Sequence, residues 1–465
     1  MRISRLIMAM VAGLSPALAD AQTRPDQQAF FGLYKELVET NTTLSVGDCT
    51  KAAQQIAVRL KAAGYPDKDV TIFTPPGHPR EGGLVAVLPG SDPAVKPMLL
   101  LAHVDVVEAK REDWARDPFK LVEEDGYYYA RGTVDDKAQA AIWSDAMIRF
   151  KQQGYRPKRT IKLALTCGEE TNEATNGADY LTRERRALVD AEFVLNEGGG
   201  GRYTPEGKRE VLALQVGEKA SQNFTFTVTN PGGHSSQPVP DNAIYQLSDA
   251  LKAVQGYEFP IKFTETTRQF FGAMAFAKGG ELGSAIKRLL ADPNDKAADA
   301  IVSQDKALHS TLRTTCVATM VSAGHAGNAL PQRAQATVNC RIFPGETVEG
   351  TLAKLSELAG PKVKVAANQP IRPLAIPPTL DPRIVEPAKA LAAKHFPGVP
   401  MLPIMSTGAT DGIFFEALGI PVYGVPGTFV DPDGNGTHGL NERIRIESLY
   451  ASRDYLFDLV KAYAG

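Results

Sequence analysis

The sequence predicts a two-part α/β protein: a larger domain built on a mainly parallel sheet, interrupted by a smaller ferredoxin-like α+β domain. Three observations carry that prediction. The chain has 465 residues, more than one ordinary core accommodates. Its first half alternates apolar strand-like runs with helical stretches, the pattern of a parallel sheet covered on both faces. The texture then changes to half-exposed strands in the order β-α-β-β-α-β before the first pattern resumes.

In chain order, Asp26 to Gly64 repeats apolar residues at three and four, a helical spacing. Strand-like runs follow at Gly83–Leu88, Met98–Ala102, Thr160–Thr166 and Phe193–Asn196, and Lys137–Gln153 reads as the main intervening helix. Residues 20–217 thus form the first part of the larger domain. From 218 to 370 come strands at Gln222–Thr229, Thr314–Val321, Ala334–Ile342 and Val363–Ala367, with helices at Ala243–Val254 and Val348–Leu358. A long helical insertion, about Thr264 to Ser310, separates the first helix from the second strand. Residues 371–465 complete the larger domain, with a helix at Pro382–His395 and a strand at Ile420–Val425.

The N-terminus reads as an address. Arg2 and Arg5 precede an apolar stretch from Leu6 to Leu14, and Pro16-Ala17-Leu18-Ala19 ends in small residues. This is the order of a secretory signal, residues 1–19, cleaved after Ala19. The apolar run is too short for a lasting membrane span, and no cysteine follows the cleavage site to carry a lipid. The expected location is periplasmic or extracellular. A formal charge of -2 gives no electrostatic case for a nucleic-acid partner. Export permits disulfides, yet four cysteines are no disulfide framework. Cys167 reads as a buried thiol. Cys316 and Cys340 can face each other across a hairpin, although unpaired burial is the plainer reading.

Five short motifs carry chemistry. His103-Val104-Asp105 ends a strand with both side chains on one face, so Asp105 can orient the imidazole. Tyr129 to Lys137 holds two successive acids, Asp135 and Asp136, at a helix start. An aspartate there is more often a cap than a ligand. Cys167-Gly168-Glu169-Glu170 follows another apolar strand; one glutamate can bind metal while its neighbour stays free as a base. Asn196-Glu197-Gly198-Gly199 ends a third strand, and Thr437-His438-Gly439-Leu440-Asn441-Glu442 lies in a glycine-rich loop. Histidines and carboxylates at strand ends are the donors of zinc sites, and such ends are where open α/β sheets bind ligands.

Together with Gly232-Gly233-His234-Ser235-Ser236-Gln237-Pro238, these motifs resemble the M20 family of metallopeptidases over nearly the whole mature chain. The resemblance implies a zinc-peptidase catalytic domain with an inserted lid or dimerisation domain. It implies two zinc ions per subunit, with Co2+ or Mn2+ as substitutes. Asp135 would bridge them, His103 and Glu197 would complete one site, and Glu170 and His438 the other. Asp105 would be an orienting residue, Glu169 the general base that takes a proton from water, and the Asp135–Asp136 bond cis. His234, reaching in from a partner subunit's small domain, would donate to the oxyanion. Asn328 and Arg341 would hold the substrate's carboxylate, and Gly408-Ala409-Thr410-Asp411 would line its pocket. Two positions depart from the family: Glu108 stands where proline is frequent, and Ala138 where glycine follows the lysine.

The insertion and Leu312-Arg313-Thr314-Thr315 resemble the carboxypeptidase S branch, which includes N-acyl amino acid hydrolases. The implied reaction is cleavage of an amide bond whose amine side is an amino acid with a free carboxylate. Carboxypeptidase or dipeptidase action on a small peptide leads, and aminoacylase action on N-acyl amino acids is the alternative. A binding homologue without catalysis, or a two-metal phosphoesterase, fits the intact ligand set and the Gly-Gly-His-Ser-Ser segment less well. Phe270, Phe271, Met274 and Phe276 of the insertion read as core packing rather than a substrate pocket.

Overall fold

A computed structural model describes residues 24–465, apart from 172–173, 377 and 426; the expected leader, residues 1–19, lies outside the described residues. A ten-stranded sheet forms the centre of the larger unit. Its middle strands, Ile161–Thr166, Met98–His103, Phe193–Asn196 and Val422–Gly424, run parallel in that spatial order. Antiparallel strands flank them, with Gly83–Leu88 and Val70–Phe73 on one side and Arg209–Glu218 on the other.

The middle strands are buried throughout, because helices cover both faces. Strand alternation divides their side chains between two cores. Leu100 and Ala102 join one with the helices Pro25–Glu39, Lys137–Gln152 and Ile446–Ala464. Leu99 and Leu101 join the other with Gly177–Glu184 and the small-domain sheet. Among described residues, no helix is long and apolar enough to cross a membrane.

The second unit has the strand order Thr315–Ala323, Arg333–Ile342, Ala220–Thr229, Lys364–Ala367, all antiparallel. With helices Ala243–Gly256 and Val348–Ala359 this is the ferredoxin-like arrangement. The insertion comprises four helices between Glu265 and Leu312. Phe271, Ile286 and Leu289 pack there into a third core, with Phe270 and Met274 against it; Phe276 departs from the expected packing and stands exposed.

Several elements differ from the sequence reading. The first helical stretch is two helices, Pro25–Glu39 and Cys49–Ala62. Asn41 breaks it by accepting from Thr43 N, and Asp48 caps the second helix by accepting from Lys51 N. The strands Gly200–Tyr203 and Arg209–Glu218 had no clear signal, because glycines open the first and its register shifts against the second. The cysteine reading needs correction at both places. Cys167 is not a free thiol; it is bonded to Cys49, 118 residues away. Cys316 and Cys340 are bonded rather than unpaired, at directly opposed positions of neighbouring strands.

Candidate metal centre

Three parallel strands deliver the site. His103 ends one, Cys167 to Glu170 follows the second, and Glu197 follows the third, so their carboxyl ends converge at one edge. Gly168 permits the turn that follows the second strand. Its φ is 89°, and a Cβ there would lie 2.6 Å from Thr175 O. The other two contributors come from loops. Asp135 precedes the helix Lys137–Gln152 across a cis bond to Asp136. His438 adopts φ 57°, in the left-handed region, near the end of the loop after Val430.

The geometry brings five predicted ligands together. The buried His103 places Nε2 at 3.2 Å from Asp135 Oδ1 and 3.6 Å from Glu197 Oε1. His438 Nε2 lies 3.0 Å from Asp135 Oδ2 and 2.8 Å from Glu170 Oε2. The two oxygens of Asp135 therefore face two different histidines, as a bridging carboxylate requires. Ligand atoms about 2.0–2.2 Å from one tetrahedral zinc lie roughly 3.3 Å apart. The observed separations match, so this donor set fits two divalent cations. Glu169 also lies among these atoms: one of its oxygens, a His103 nitrogen and a Glu197 oxygen are all within 4.8 Å of one another.

Charge at the site is strongly perturbed. Burial, and then the charge of Glu197, push Glu169 well above the ordinary carboxyl range. Burial likewise raises Glu170, Glu197 and Asp136. On Asp135 burial is outweighed by hydrogen bonds from both histidines, which hold it low. Bonds to Asp135 and Glu170 push His438 up to about 10. On His103 burial is outweighed by Glu197 and the neighbouring carboxylates, which raise it. Acidic groups crowd one buried spot, the signature of a cation site.

Asp105 holds His103 differently from expectation. Nδ1 of His103 is 3.1 Å from the backbone carbonyl of Asp105 and 3.5 Å from its Oδ1. The other oxygen, Oδ2, accepts from Glu170 N at 3.1 Å, so Asp105 also orients the glutamate loop. Arg341 and Thr410 line a cavity of about 170 Å3 together with Glu169, Glu170 and His438. The Thr410 hydroxyl is already engaged, donating to Glu218 Oε2 at 2.8 Å and accepting from Asn196 at 3.0 Å. His234 and Asn328 are exposed and adjacent to one another, with Ser235 N donating to Asn328 O. Neither lines the cavities described around the centre.

Two residues beyond the sequence reading matter here. Glu442 is fully buried and accepts from Arg131, Gly132, Val134 and Asp135 N, clasping the turn that presents Asp135. The only sequence signal was an acid four residues after His438. Arg372 lines the Arg341 cavity, its guanidinium 5.7 Å from the Phe414 ring centre; a lone arginine in an inter-domain segment gave no signal.

Comparison with known proteins gives matches along most of the chain. The model of peptidase family M20/M25/M40 matches residues 99–462. Human N-fatty-acyl-amino acid synthase/hydrolase PM20D1 is 29% identical over 381 residues, covering 80% of this chain and 75% of that protein. A probable carboxypeptidase S-like 2 of Dictyostelium discoideum is 26% identical, covering 80% of this chain and 72% of its own. The crystal structure of an M20 family metallo-carboxypeptidase, Sso-CP2 from Sulfolobus solfataricus, superposes with a TM-score of 0.72 at 19% identity. It covers 94% of this chain and 99% of that one.

Proposed function

Because the chain belongs to peptidase family M20/M25/M40 and is a metal-dependent hydrolase, we propose that it cleaves an amide bond whose amine side is an amino acid with a free carboxylate. The observation that carries this reading is the small cavity joining Glu169 to Arg341. Its volume of about 170 Å3 corresponds to roughly six waters, room for a single amino-acid-sized group beside the centre. Arginine's planar fork pairs with a carboxylate.

Asp135, His103, Glu197, Glu170 and His438 would hold two zinc ions, which supply Lewis acidity and activated water. Glu169 takes the water's proton and passes it to the leaving amine. Arg341 fixes the carboxylate, and so sets which bond lies over Glu169.

Carboxypeptidase or dipeptidase action and aminoacylase action share this chemistry. The human relative, an N-fatty-acyl-amino acid synthase/hydrolase, favours the second, with an N-acyl amino acid as substrate. Export fits both: all four cysteines are paired, as an oxidising compartment allows. A homodimer formed through the exposed edge strand Thr315–Ala323, which displays Val317, Met320 and Val321, would offer His234 a place in a partner's centre.

The test is hydrolysis of blocked dipeptides and N-acyl amino acids by the zinc-loaded mature protein, with Glu169→Gln as control. Activity surviving in that variant would remove Glu169 as base. Equal cleavage of carboxyl-amidated substrates would remove Arg341 as their anchor, and saturation below two ions would exclude the bridged centre.

A further inference from the structure

We infer that the cavity of about 790 Å3 on the other side of Glu170 is the binding site for an aliphatic acyl chain, closed on one wall by a Glu108–Ser45 latch. This rests on the amide-hydrolase reading above and deepens it. Glu170 and Thr171 line both this cavity and the Arg341 cavity, so the two meet at the centre. A substrate lying across that junction has its carboxylate end among guanidinium groups and its acyl end here.

The second wall has the chemistry of a chain site. Leu44, Val46, Val106, Val107 and Ala174 line it, backed by the Cys49–Cys167 disulfide. Val46 is 71% exposed, an aliphatic side chain that an occupant would cover. The volume lies within the range of ligand pockets, roughly 300–1,000 Å3.

The acidic groups of this wall away from the centre are already engaged. Glu108 accepts from Ser45 N at 2.9 Å through one oxygen and from Ser45 Oγ at 2.8 Å through the other. Glu81 accepts from Thr175 N at 2.7 Å and faces His78 Nδ1 at 2.9 Å. Arg80 and Lys110 also line this cavity, so the free ammonium of a dipeptide would meet like charge here, whereas a hydrocarbon carries none. Glu108, the departure from the usual proline, pins the 41–47 loop as one side of the cavity.

The experiment compares N-acetyl, N-hexanoyl and N-dodecanoyl derivatives of one amino acid as substrates for the zinc-loaded protein. Calorimetric binding of dodecanoate to the zinc-loaded protein runs in parallel. The wild type should gain roughly threefold to fourfold in kcat/KM per added methylene until the cavity fills. Ala174→Phe, which fills the cavity, should cost the dodecanoyl substrate at least about tenfold, leave the acetyl substrate within about twofold, and weaken dodecanoate binding in step. Glu108→Ala should flatten the chain-length profile while preserving turnover of the acetyl substrate.

Equal losses on acetyl and dodecanoyl substrates, or an unchanged profile in Ala174→Phe, would overturn the assignment. So would cleavage of dipeptides with no gain from acyl length, a result that leaves the amide-hydrolase reading standing. If no amide is cleaved, that reading fails by itself. Dodecanoate binding that Ala174→Phe abolishes would then still support the cavity, and its absence in the wild type would overturn it.

Discussion

Glu442→Gln separates presentation of Asp135 from simple stability. One oxygen of Glu442 accepts from Arg131 Nη1 at 2.7 Å and Gly132 N at 2.9 Å; the other accepts from Val134 N at 2.8 Å and Asp135 N at 3.2 Å. Glutamine keeps the volume and one acceptor, but turns the other oxygen into a donor facing two donors. It also leaves the buried Arg131 without its countercharge. Removing one partner of a buried ion pair costs about 3–5 kcal/mol, a figure that already includes the groups left without a partner. A loss of about 4 kcal/mol is a large part of a total near 5–15 kcal/mol. The turn that carries Asp135 would then lose its clasp, and affinity for zinc should fall about 10–100-fold, as for other groups that orient ligands. Calorimetric zinc titration and thermal melting of the metal-free protein read the two effects separately. A lower melting temperature with unchanged zinc affinity would reduce Glu442 to a structural role, and no change in either would refute the reasoning.

Three other outcomes follow. Replacing Cys49 and Cys167 together by Ala opens a 118-residue link and should cost about 4–5 kcal/mol, read by denaturant unfolding; kcat should fall as well, because Cys167 adjoins the Glu169 turn. Burial, opposed by the Thr410 hydrogen bonds, pushes Glu218 up to about 8 from an ordinary 4.5. The folded state therefore holds a proton that the unfolded state has released. The stability from that proton is present below about 4.5 and is lost as pH rises through about 8, at most about 5 kcal/mol; Glu218→Gln should flatten this slope in melting curves. Chelation should lower the melting temperature, with zinc at a hundred times its dissociation constant restoring about 2.7 kcal/mol per site.

The candidate site was legible where its residues stand at points of broken pattern. His103, Glu170 and Glu197 follow apolar runs whose continuous burial marks central parallel strands. The ferredoxin-like order was legible for a related reason: Ala220–Thr229 alternates buried and half-buried residues along its length. What escaped reading depends on contacts distant in sequence. Cys49 and Cys167 meet only once the second helix docks beside the strand ending at Thr166, and no local pattern encodes that meeting. Glu442 reads as an exposed loop acid until its loop folds back over Arg131. Thr410 lines the Arg341 cavity, but the bond from its hydroxyl to Glu218 spans 192 residues and no local pattern names that partner.

The acids behind the centre show why so costly a cluster persists. Asp411 is pinned by Thr166 at 2.8 Å and Asn176 at 2.6 Å, and Glu218 by Thr410. Each of these carboxylates has donors from the protein itself, so its position is set before any ligand arrives. Glu169, Glu170 and Glu197 are raised by burial, and the charge of a neighbouring carboxylate pushes each of them further the same way. Hydrogen bonding within the chain offsets only part of that cost, through two histidines that both turn toward Asp135. The protein therefore divides its buried acids by position: an inner layer whose repulsion a pair of cations would reverse, and an outer layer, itself raised by burial, that protein donors hold in place. An arrangement built for stability alone would have satisfied both layers with donors. Leaving the inner one in deficit makes cation binding favourable beside Glu169.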